Sequence, residues 1–192
     1  RSPHPPCSNG DLDPARSRLV FSVGTTPLAV IQGMSRELEV YPYDCSEQVS
    51  DEILPLVALL RAGTGPDGPR LTPADLRRQI AEGVAVLSRR QRADGGVGLW
   101  TADDWTTPWL SAYAGEALLA ARSAGIAVSD SVLARLANYL LAGVHRPRTL
   151  QGPITSWFDQ LQVRLGENVA AVDYLSRFGH PDIAGENELL RV

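Results

Sequence analysis

Apolar residues recur at three- and four-residue intervals through most of the chain, and they predict helices. Leu76, Ile80, Val84 and Leu87 fall on one stripe at helical spacing. Ahead of them, Thr72 and Pro73 supply an N-cap and a proline at the first helical position, and Asp75 is placed to complete a capping box. Thr107 and Pro108 open a second helix, which carries Leu110, Tyr113, Ala117 and Leu118 and stops near Gly125. Ser129 or Asp130 caps a third, with Val132, Leu133, Leu136, Tyr139 and Leu140 inward and Gly143 past its end. Weaker patterns predict helices over about 28–38, 47–60, 157–165 and 168–178, about seven in all. Gly- and Pro-bearing stretches such as 63–69 read as loops. Only Arg18 to Val23 alternates like a strand, and it finds no partner strand in the chain. The expected fold class is all-α, with helical hairpins packed side by side as a partial α/α toroid, preceded by a short β segment of a neighbouring domain. Residues 1–24 are expected to be linker plus that strand, and 25–192 one helical domain. Seven helices close only part of a ring, so apolar edges and an incomplete C-terminal side are expected.

Composition narrows the setting. The 192 residues can bury a real core. With 18 basic and 22 acidic residues the net charge is −4, which argues against nucleic acid or an anionic membrane as main partner. The apolar run from Ile53 to Leu60 is short and broken by Pro55, so it cannot span a bilayer. No basic, apolar leader opens the chain, which reads as starting inside a mature protein. The two cysteines, Cys7 and Cys45, could be a disulfide of an exported protein or two plain thiols. No His/Cys cluster has metal spacing, and no phosphate-cradling Gly loop or G-x-S-x-G elbow is present. No cofactor is implied. Arg77-Arg78 and Arg89-Arg90 read as solvated helix charge.

Chemistry concentrates in Tyr41-Pro42-Tyr43-Asp44-Cys45-Ser46-Glu47-Gln48, between two predicted helices. A thiol and a carboxamide three residues apart meet across one helical turn. Attack of the Cys45 sulfur on the Gln48 side-chain carbonyl, with loss of ammonia, closes a thiolactone ring. Such an acyl donor survives only where water is kept away. The Cys-x-Glu-Gln core resembles the thioester motif of the α2-macroglobulin and complement family, and the Tyr-Pro-Tyr before it resembles the bacterial members. Two further segments follow in family order. Asp94-Gly95-Gly96-Val97-Gly98-Leu99-Trp100 is similar to a DGG-x-G-x-W turn, and Trp109-Leu110-Ser111-Ala112-Tyr113 to a W-L-T-A-Y helix start.

The resemblance implies a thioester domain whose Cys45 and Gln48 are joined. Tyr41, Tyr43, Trp100 and Trp109 would shield the bond; the two tryptophans are otherwise expected in the core and ring packing. Glu47 belongs to the motif, with a structural role as an acid at a helix N-terminus. Relatives usually carry Gly where this chain has Asp44. Asp adopts glycine-like angles only with strain, and a carboxylate beside the sulfur can promote hydrolysis. A thioester-domain scaffold without a reactive bond therefore stays open as a reading. The complement branch also uses a distant His to pass the acyl group to hydroxyls. That position falls near Ser156 to Phe158, where none occurs, while His4, His145 and His180 read as loop histidines. The implied targets are then lysine amines of attacking proteases, with the remaining macroglobulin domains as partners. The implied place is the periplasm or cell exterior, anchored through an N-terminal region. A rival from another class is a toroidal terpenoid cyclase, because Gln91-x-x-x-Gly95 and Trp100 partly echo its Q-x-x-x-G-x-W repeat. It would need Asp103-Asp104 as its acid.

Overall fold

Thr72 begins its helix as its side chain dictates: the hydroxyl accepts from Asp75 N–H at 3.1 Å while the Asp75 carboxylate accepts from Thr72 N–H at 3.1 Å. In the computed structural model, which describes residues 23, 44–63, 72–146 and 161–191, that helix is one of six among the described residues. They are α1 (Ser46–Ala62), α2 (Pro73–Arg89), α3 (Pro108–Ser123), α4 (Asp130–Val144), α5 (Leu161–Phe178) and α6 (Ile183–Leu189). The regular elements among the described residues are all helices, with no strand beyond one isolated bridge. The expected helix over 28–38 and the Arg18–Val23 strand (Val23 apart) lie outside the described residues, as do Cys7, His4, Tyr41 and Tyr43.

Two boundaries and one added helix differ from expectation. Gly143 lies inside α4, which runs one residue further. The two helices expected over 157–165 and 168–178 form a single α5 through Gly166. Nothing lies within 4 Å of where a Cβ on Gly166 would stand, and the ~1 kcal/mol cost of an interior glycine is too small to break a packed helix. Helix α6 was not foreseen; the Asp182 carboxylate starts it by accepting from Gly185 N–H at 3.2 Å.

Helix α3 is central because one side of it is built of small residues. It packs on α1, α2, α4 and α5; α2 also packs on α1, α5 on α4, and α6 on α5. Ala112, Ala114, Ala117 and Ala121 are buried along it, so neighbouring helices approach closely. The Tyr174 ring of α5 lies against Gly115, where an added Cβ would stand 2.5 Å from it. The Tyr174 hydroxyl donates to Leu133 C=O of α4 at 3.2 Å, and burial pushes its pKa up. Apolar residues Val169, Ile183 and Leu190 of the last two helices and the turn after them are exposed, Leu190 to 85%.

Candidate functional site: the turn at Cys45

A small hairpin after α2 prepares the surface on which Cys45 rests. Gln91 and Val97 form an antiparallel bridge, and Gly98 N–H donates to Arg90 C=O at 3.0 Å. The Gln91 carboxamide donates to Gly95 C=O at 3.1 Å and to Val132 C=O at 2.8 Å, tying the hairpin to α4. Val97, fully buried, donates its N–H to the Ser111 hydroxyl at 2.9 Å, tying it to α3. At Gly98 a Cβ would stand 1.9 Å from Thr101 C=O, so only glycine fits there.

The first turn of α1 docks on this loop. Ser46 is fully buried; its N–H donates to Leu99 C=O at 2.8 Å and its hydroxyl to Gly98 C=O at 2.7 Å. Cys45, the N-cap, is buried, with 8% exposure. Its N–H donates to the Gln48 side-chain oxygen at 3.1 Å, and the Gln48 N–H faces the Cys45 side chain, closing a reciprocal box. This box places thiol and carboxamide on one turn, with the carboxamide oxygen held by a donor. A hydrogen bond there draws charge toward the oxygen, the direction in which charge moves when a nucleophile attacks the carbonyl carbon. Gln48 is half-buried and Glu47 is exposed in the first turn. Farther along α1, Asp51 accepts from the Tyr113 hydroxyl of α3. Burial first, and the Asp51 bond second, push the Tyr113 pKa up. The Cys45, Gly98 and Tyr113 segments, scattered in sequence, thus meet around one helix start.

Asp44 sits without the strain expected from the glycine of relatives: no non-glycine residue among the described ones has a positive φ. Its carboxylate instead takes an ion pair from Arg90 at 2.9 Å. Arg90 departs from its expected role as solvated charge, with only 8% exposure. The missed signal was spacing: Arg90 lies three residues beyond Leu87, on the stripe that points inward. Arg78 does behave as surface charge, paired with Asp75 and Glu82. Asp44 also lines a cleft of about 200 Å³ with Val49, Ile53 and Leu56 of α1 and Val86 of α2.

The tryptophans correct a second expectation. Trp100 and Trp109 are each 42% exposed and so are not core residues; Trp109 stacks on Tyr113 at 5.5 Å. They belong to segments whose small and aliphatic members, Val97 and Leu110, take the interior. His145, expected to be solvated, places Nε2 2.8 Å from the buried Asp182 carboxylate, whereas His180 is exposed beside Phe178. Asp104 accepts from Trp100 N–H and Thr101 N–H in a turn, and Asp103 is exposed. Among the described residues no group of His, Cys, Asp and Glu could hold a metal ion, and no helix is long and apolar enough to cross a membrane.

The chain matches no family model. It is 32% identical over 122 residues to an alpha-2-macroglobulin homolog of Yersinia pestis, covering 64% of this chain and 6% of that protein. It is 32% identical over 140 residues to an alpha-2-macroglobulin of Xylella fastidiosa, covering 69% and 8%. The chain thus spans less than a tenth of either relative. Among solved structures, native Escherichia coli alpha-2-macroglobulin from domain MG7 to the C-terminus superposes with a TM-score of 0.70 at 23% identity, over 84% of this chain and 25% of that one. Salmonella alpha-2-macroglobulin reacted with methylamine superposes with a TM-score of 0.68 at 25% identity, over 84% and 10%.

Proposed function

We propose that this chain, a homologue of a short segment of the bacterial alpha-2-macroglobulins, is a thioester module that acylates amines of an attacking protease. The observation that carries the reading is the box at the start of α1, where buried Cys45 and the Gln48 carboxamide share one turn and Cys45 N–H holds the carboxamide oxygen at 3.1 Å. The Cys45 sulfur adds to the Gln48 carbonyl carbon, the thiol proton passes to the departing nitrogen, and ammonia leaves as the sulfur–acyl bond forms. A lysine amine then attacks the same carbon. The carbon–sulfur bond breaks, an amide forms at Gln48, and the proton from the amine ends on the Cys45 thiol. Each molecule acts once, as a trap rather than a turnover enzyme.

The reaction of the Salmonella relative with methylamine supports an amine as the nucleophile. No His occupies 156–158, so no side chain at that place would pass the acyl group to hydroxyls. The remaining macroglobulin domains would cover the bond until a protease cuts, in the periplasm or outside the cell, and Tyr41, Tyr43, Trp100 and Trp109 would help to shield it. The cyclase alternative loses support, because the Gln91 carboxamide is spent on the hairpin, Asp103 is exposed, and the Asp104 carboxylate is held by the Trp100 and Thr101 N–H groups of its own turn.

Intact mass decides between a reactive module and a bare scaffold. The freshly purified chain is expected one ammonia lighter than its sequence, and methylamine should add its whole mass, leaving the chain one methylene heavier than its sequence while freeing one titratable thiol at Cys45. A full-mass chain with Cys45 already free would overturn the proposal.

A further inference from the structure

We infer that Arg90 is a positioning residue for the thioester, holding the Asp44 carboxylate away from service as a base for water. The inference rests on the proposed bond between Cys45 and Gln48. Its geometry is a clamp over Cys45. One guanidinium nitrogen of Arg90 pairs with Asp44 at 2.9 Å, and the other lies 3.4 Å from the Ser46 hydroxyl. Arg90 thus reaches the residues on both sides of the cysteine.

The two partners differ in setting. The Arg90 side chain is 10% exposed and that of Asp44 68% exposed, so a buried cation reaches out to a carboxylate that water also reaches. A free carboxylate next to an activated acyl group can take a proton from water as it attacks the Gln48 carbonyl carbon. The carbon–sulfur bond would break, position 48 would become a carboxylic acid, and the proton would return to the Cys45 sulfur. Pairing of one Asp44 oxygen with Arg90 fixes where the carboxylate points. Of the other carboxylates lining the same cleft, Glu82 of α2 is paired with Arg78, and Glu52 of α1 stands two turns along the helix from Asp44. Glu47 is exposed on the first turn. Arg90 is the cation seated on Asp44 itself.

The test follows the decay of the one-ammonia mass deficit in the full chain, incubated without amine. Arg90→Gln is expected to shorten the thioester lifetime about tenfold, less than a fully positioned general base supplies. Asp44→Asn in the same chain should restore the lifetime, because the added base is gone. Asp44→Asn alone keeps an oxygen acceptor for Arg90 and should not shorten it. Arg90→Lys, which keeps charge but not the fork, should fall between, and it carries the test if Arg90→Gln does not fold. An unchanged lifetime in both Arg90 variants, or a double variant as short-lived as Arg90→Gln, would overturn the role of Arg90 and leave the thioester standing. A wild-type chain that never shows the mass deficit would instead overturn the thioester and this role with it.

Discussion

At the scale of single residues, Gln48 has two jobs that can be separated. Its side-chain oxygen caps Cys45 N–H, and its carbonyl carbon is the proposed acyl donor. Gln48→Ala should therefore give a folded chain at full mass, with a Cys45 thiol that titrates from the start and does not respond to methylamine. Loss of the cap should lower stability by about 1 kcal/mol, read from urea unfolding. Cys45 and Gln48 were legible because three residues is one helical turn. Arg90 reads as surface charge because it stands beside Arg89, although its spacing from Leu87 puts it on the inward stripe.

At the scale of elements, two helices carry predictions of opposite kinds. The Thr72 hydroxyl and N–H hold the Asp75 carboxyl below the usual carboxylate range, with Arg78 adding a smaller pull. A depressed folded pKa means that the stabilisation is present above the unfolded value of about 4 and is lost as pH falls through the folded value. The melting temperature of Asp75→Asn should thus lie below wild type at neutral pH and converge with it in acid. The α3–α5 contact depends instead on the absence of a side chain at Gly115. Gly115→Ala should overpack Tyr174 and lower stability by about 1–3 kcal/mol, measured by denaturant unfolding. Helix α1 shows packing overriding a local signal. Pro55 leaves the Asp51 C=O without its helical donor, yet burial of Ile53, Leu56, Val57 and Leu59 keeps the helix whole.

At the scale of the whole molecule, the hairpin after α2 is the joint between helix packing and the chemistry of the first turn. Gly98 receives the Ser46 hydroxyl and cannot accommodate a Cβ. Gly98→Ala should shift that loop, so the mass deficit of the purified chain should shrink by more than its loss of stability accounts for, read by intact mass beside thermal melting. A full mass deficit in this variant would show that the first turn of α1 forms independently of the loop. Legibility followed the range of the interaction. The Thr72, Thr107 and Leu76-to-Leu87 signals act within one or two turns, and so does the pairing of Cys45 with Gln48; the sequence determined the helices and the candidate reactive pair on its own. Tertiary structure decided that α5 stays unbroken at Gly166 and that Trp100 and Trp109 face outward. It also decided that Arg90 turns inward to hold Asp44. Spacing past Leu87 hinted at the inward turn of Arg90, but the Asp44 it holds stands 46 positions away, and no local pattern carries that pairing.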